Sequence, residues 1–140
     1  MKPACLDSSI YVRALGHEPG TDAATALLEE LLTSDHRFVG PALLPFEVLS
    51  ALLNRFRRGL MAPADLAGAV DAFGRLGPEI VDFTSLLGDA WRLAEALGLS
   101  RIYDTSFLAV ALKLCCPLWT ADGRFFHAAA RKYPSVRLVG

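Results

Sequence analysis

Cysteine is scarce in this chain, with only Cys5, Cys115 and Cys116 among 140 residues. An odd number, two of them adjacent in an apolar run, excludes a disulfide framework, and they read as reduced core residues of an intracellular protein. No C-x-x-C spacing occurs, and His17, His36 and His127 are dispersed, which argues against a zinc site. An excess of charge of one sign is missing too: 14 Lys and Arg stand against 15 Asp and Glu, for a net charge of −1. That balance excludes a broad basic footprint for duplex nucleic acid, so any nucleic-acid partner must be met locally. The apolar stretch inside "IYDTSFLAVALKLCCPLWTAD", Ile102 to Asp122, is broken by Lys113 and Pro117 and falls short of the ~20 residues needed to span a bilayer. "MKPACLDSSIYVRAL" reaches an aspartate within a few residues, which no signal-peptide core does. The expectation is a cytoplasmic protein with no membrane attachment.

Apolar content, by contrast, is ample: 53% of residues are hydrophobic, enough for the core of one domain over residues 1–140. Short apolar runs alternate with helical patterns along the whole chain. Strands are expected at Ala4–Leu6, Arg37–Gly40, Glu79–Phe83, Leu118–Thr120 and Val136–Val139. Helices are expected near Ser9–Leu15 and Asp22–Thr33, from Pro45 to Gly59, over Ala62–Gly77, from a Thr84 cap to Leu97, and over Asp104–Leu114 and Arg124–Lys132. Such alternation implies an α/β fold, a five-stranded parallel sheet with helices on both faces.

In an open parallel sheet, ligands gather at the carboxyl ends of the strands. Asp7 directly follows the first strand, and Asp122 lies just past Thr120 of the fourth. Asp104 begins the helix leading into that fourth strand, and Glu47 is expected in the first turn of the helix after the second. Four carboxylates are thus expected to converge at one edge. Two carboxylates ~5 Å apart at an effective dielectric of about 20 repel by roughly 3 kcal/mol, so such a cluster must be protonated, paired with arginines or occupied by cations. All-oxygen ligands suit Mg²⁺ or Mn²⁺. A site of that kind hydrolyses phosphodiesters without a side-chain nucleophile, because metal-bound water attacks and the cation stabilises the attacking and leaving oxygens. Ser8, Ser9 and Thr120 lie beside the acids to orient groups, and Arg124 and Arg101 are candidate phosphate donors.

"LDSSIYVRAL", "ALLPFEVLSALLNRF", "IYDTSFLAVAL" and "LWTADGRFF" together resemble the four acidic motifs of PIN-domain ribonucleases, especially the VapC-type toxins of bacterial and archaeal toxin-antitoxin pairs. The likeness runs in order from Asp7 to Phe125. It implies a five-stranded parallel α/β sheet, a Mg²⁺ or Mn²⁺ site, cleavage of RNA, a homodimer and inhibition by a small antitoxin protein. Asp7, Glu47, Asp104 and Asp122 match the metal-site acids of the family, and Thr120 matches a hydroxyl position beside the last of them. Ser9 departs from the pattern, which often has asparagine there; a serine can still hold a metal-bound water.

Each acid also has an ordinary structural explanation. Asp7 can be a turn acid, Asp104 a cap for a helix beginning at Thr105, Asp122 the start of an Asp-Gly turn, and Glu47 a favourable charge near a helix's positive end. Arg55, Arg57 and Arg58 read as a solvated helix terminus, with an RNA contact as the alternative, and Trp91 and Trp119 as core. Two rival functions are a receiver or haloacid-type phosphoryl-transfer domain, for which "DSSIY" lacks a second acid, and a PIN-like module that binds without cleaving.

Overall fold

A computed structural model describes residues 1–140, and all five strands run parallel in one sheet of order β3-β2-β1-β4-β5. In chain order the elements are β1 (Lys2–Leu6), α1 (Ser8–Leu15), α2 (Thr21–Thr33), β2 (His36–Gly40), α3 (Leu43–Arg57), α4 (Pro63–Leu76), β3 (Glu79–Ile80), α5 (Leu86–Leu97), α6 (Tyr103–Lys113), β4 (Leu118–Thr120), α7 (Gly123–Ala129) and β5 (Val136–Leu138). The first strand takes the central place. Ala4, Cys5 and Leu6 are all buried, so the strand needs cover on both faces and a neighbour on both edges. Those neighbours are β2, with Ala4 opposite Phe38, and β4, with Leu6 opposite Trp119.

This order makes β1 a switch point. The chain moves outward from β1 through β2 to β3, then returns to the other side of β1 for β4 and β5. Right-handed crossovers place the helices of the two directions on opposite faces. Accordingly α1 packs with α2, α3 and α4, whereas α5 packs with α6. In such sheets the crevice for a ligand opens outside the carboxyl ends of the strands on either side of the switch, here β1 and β4.

The core is continuous through the sheet. Tyr11, Ile10, Leu6, Leu44, Leu52, Phe107 and Leu108 are fully buried, and the Tyr11 ring meets Phe38 and Phe73 edge-on at centroid separations of 6.3 and 5.3 Å. α6 is buried over the whole run Phe107–Ala111, which accounts for the apolar stretch in the sequence without any membrane. No helix is long and apolar enough to cross a membrane.

Several expectations need correction. The third strand covers only Glu79–Ile80, because it pairs with Val39 and Gly40, the last residues of β2, and beyond them has no partner strand; Val81 N–H still donates to Gly40 O at 2.8 Å before the chain turns. Thr84 does not cap α5: Ser85 takes that position, and its hydroxyl donates to the Asp89 carboxylate at 3.0 Å instead of accepting from a backbone N–H. Trp91 is not core but 62% exposed on α5. Arg55 is neither a solvated end nor free for a phosphate, since its guanidinium pairs with Glu18 at 2.7 Å and donates to Gly16 O at 3.0 Å, tying α3 to the turn between α1 and α2.

Candidate metal and active site

The four acids are delivered by four elements. Asp7 follows β1 and is nearly inaccessible, at 4% exposure, with its own N–H donating to Trp119 O of β4 at 3.0 Å. Its carboxylate caps α1 by accepting from Ser9 N–H at 3.0 Å, and it also accepts from the Ser9 hydroxyl. That hydroxyl in turn accepts from Ala121 N–H at 2.9 Å. Ser9 therefore staples the loop after β1 to the loop after β4, a role the sequence alone does not reveal. The Thr120 hydroxyl, buried at the end of β4, accepts from Asp122 N–H at 3.0 Å.

Asp122 is the N-cap of α7 and accepts from Arg124 N–H at 2.9 Å and Phe125 N–H at 3.3 Å. Its structural explanation is thus realised, and it is compatible with a second use because each carboxylate has about four lone-pair sites. Arg124 is exposed and reaches this corner through its backbone N–H.

Glu47 is the fifth residue of α3, not in its first turn, so the pull of the helix's positive end no longer accounts for it. Its Oε1 accepts from the Ser8 hydroxyl at 3.2 Å. Asp104 lies in the first turn of α6 without capping it: Ile102 holds the cap position, and no side chain makes the capping bond. The capping explanation of Asp104 is therefore removed, although an acid in this first turn still complements the helix's positive end.

Electrostatics joins the four. Burial raises the Asp7 pKa from 3.8 to about 7; hydrogen bonds from Ser9 and Thr120 oppose the rise and the charge of Asp104 adds to it. Glu47 is raised by burial, against the Ser8 hydrogen bond and with help from Asp104. Asp104 is raised by burial and then by the charge of Asp122. Each coupling between two of these acids thus has Asp104 as one member. None of the four takes part in any of the chain's ion pairs, whose acidic members are Asp35, Glu18, Glu79, Asp71 and Asp89.

The expected convergence is looser than a closed ligand cage. No three His, Cys, Asp or Glu side chains are placed together as a ready metal cluster. The carboxylates of Glu47, Asp7 and Asp122 are held instead by the donors nearest each of them, Ser8, Ser9 and the first turn of α7. The donor set nevertheless fits a hard divalent ion. It is all oxygen, partly desolvated and unpaired with lysine or arginine, and Mg²⁺ usually keeps several waters and takes only one or two carboxylates directly.

Beside Asp104 lies a cavity of about 610 Å³, lined in part by Leu43, Asp82, Phe83, Leu87, Tyr103 and Ser106. Tyr103, an aromatic next to Asp104 at the start of α6, is a signal already visible in the sequence.

No curated protein matches the chain. The model of one family, described as PIN domain, matches residues 4–132. PIN domains are typically nucleases and usually use divalent metal ions. With the match spanning β1 to the end of α7 and all four acids inside it, this chain belongs to the PIN domain family.

Proposed function

We propose that this chain is a Mg²⁺- or Mn²⁺-dependent endoribonuclease that hydrolyses RNA phosphodiesters at the edge carrying Asp7, Glu47, Asp104 and Asp122. The observation that carries the reading is four carboxylates coupled through Asp104 with no protein cation to neutralise any of them. A divalent ion bound there supplies an activated water and stabilises the attacking and leaving oxygens. Ser9 and Thr120 favour the ionised form of Asp7 despite its burial, Ser8 aims Glu47, and the first turn of α7 anchors Asp122. Asp104 makes no capping bond, which leaves its carboxylate oxygens free for a cation.

The test is cleavage of single-stranded RNA with Mg²⁺ or Mn²⁺, and its abolition by EDTA. Undiminished cleavage in chelator, with tightly bound metal excluded by elemental analysis, would sink the mechanism. Mg²⁺ binding without cleavage of any RNA would favour a PIN-like module that only binds.

The resemblance to VapC-type toxins extends the proposal to a cytoplasmic toxin held in check by a small antitoxin, and to a homodimer. Phe46, Leu49 and Leu53 support a protein partner: spaced along α3 at helical intervals, they are 74%, 39% and 48% exposed.

A further inference from the structure

We propose that the cavity beside Asp104 is a nucleobase pocket, in which one unstacked base of a single-stranded RNA lies against the Tyr103 ring with its polar edge toward Asp82. The proposal rests on the ribonuclease reading of the acids. Its walls come from the segment after β2 (Leu43), the segment after β3 (Asp82 and Phe83) and the facing starts of α5 and α6 (Leu87, Tyr103 and Ser106). All lie at the sheet edge that carries the acids.

The volume, about 610 Å³, is in the range of roughly 300 to 1,000 Å³ usual for small-molecule sites. The lining is of two kinds, an apolar floor and a few hydrogen-bonding groups, which suits a heterocycle with apolar faces and a polar edge. Tyr103 lines the cavity yet is 51% exposed, so much of its surface has no partner within the protein. The Ser106 hydroxyl donates to Tyr103 O at 2.5 Å and braces that turn of α6. The Asp82 carboxylate can accept from an exocyclic amino group, as acidic side chains do from cytosine N4.

Position selects the occupant. Tyr103 directly precedes Asp104, and Leu43 stands one helical turn before Glu47, so a base held here belongs to a nucleotide whose phosphate neighbours the acids. β3 is two strands from β1, roughly 10 Å at the usual strand spacing, a span that neighbouring nucleotides of one strand cover. A paired, stacked base cannot enter such a pocket. With a net charge of −1 the chain has no broad basic surface for phosphates, and stacking of a base adds affinity that does not depend on that charge. An apolar peptide side chain in the same place would give the Asp82 carboxylate nothing to accept from.

The experiment is a fluorescence titration, in Mg²⁺, of a short 2′-O-methyl oligonucleotide that resists cleavage and carries one 2-aminopurine, whose emission is quenched on stacking. Saturable quenching is expected for the single strand and not for its duplex. Tyr103→Ala should weaken binding by roughly 5- to 150-fold, the loss of one stacked base, and Tyr103→Phe should restore it. Leu87→Arg, on α5 and 69% exposed, should block the cavity and weaken binding with Tyr103 left in place. An unchanged Mg²⁺-induced rise in melting temperature for Tyr103→Ala separates loss of the pocket from loss of the acid site. Equal quenching by wild type and Tyr103→Ala overturns the proposal, as does loss of a sedimenting dimer on Tyr103→Ala, which would make a second copy the occupant. If the oligonucleotide binds with quenching but no RNA is cut, the ribonuclease reading falls and the pocket stands. If RNA is cut with the same KM by both proteins, the pocket falls and the ribonuclease reading stands.

Discussion

Asp7 and Asp104 hold opposite positions in the electrostatics of the site. Asp7 is sealed beneath the loops and satisfied by Ser9, whereas Asp104 is half-buried, has no capping bond and feels the charge of Asp122. Asp104→Asn keeps the shape and removes one charge, so in EDTA the protein should become more stable by roughly 1 to 3 kcal/mol while RNA cleavage collapses. Thermal melts with and without Mg²⁺ check this: the variant should melt higher than wild type in chelator and gain less from the metal. Asp7 makes a pH prediction. A carboxyl whose pKa is raised on folding holds its proton more tightly in the native state, so its contribution is complete below 3.8 and is lost as pH rises to about 7. In chelator, wild type should therefore lose stability over that interval, by up to an amount on the order of 4 kcal/mol from Asp7. Asp7→Asn should flatten the slope in urea titrations at pH 5 and pH 8.

Among the elements, the join between β1–α1 and β4–α7 rests on one hydroxyl. Ser9 donates to Asp7 and accepts from Ala121 N–H, so Ser9→Ala leaves a buried carboxylate and a loop amide each short of a partner. A destabilisation of about 1 to 3 kcal/mol is expected in urea unfolding, together with reduced cleavage. Ser9→Asn, which keeps a hydrogen-bonding side chain at this place, should recover part of both. The same elements show how far local patterns reach. Helix starts and stops follow glycines and prolines closely: Gly77 and Gly98 end α4 and α5 in the left-handed region, at φ 55 and 69°, and Pro63 opens α4. The length of β3 was not legible, because "EIVDF" is a good strand throughout and only the end of its neighbour β2 stops the pairing.

For the molecule as a whole, the exposed stripe Phe46, Leu49 and Leu53 on α3 calls for cover. If a second copy or an antitoxin covers it, Phe46→Asp combined with Leu53→Asp should shift sedimentation to the monomer or abolish capture of the partner, with the fold retained by circular dichroism. Expression of the chain alone should slow growth, and co-expression with a small protein encoded beside it should restore it. Free growth at confirmed levels of active enzyme would count against the toxin role.

Period, capping residues and the alternation of apolar runs are local properties, and from them the sequence alone determined an α/β parallel sheet and the placing of Asp7 and Asp122 just beyond strand ends. Its ordered acidic motifs were enough to suggest the PIN family. The relations among the acids were decided only by the tertiary structure. The order β3-β2-β1-β4-β5 arises from pairing between segments remote in the chain, Leu6 with Trp119 and Val39 with Glu79. That pairing sets Ser9 against Ala121, couples Asp104 to three other carboxylates, and lets Asp82 and Tyr103 line one cavity. Hydrogen bonds and charge couplings act over a few ångströms, and residues so far apart in sequence come within that reach only once the sheet has closed around β1.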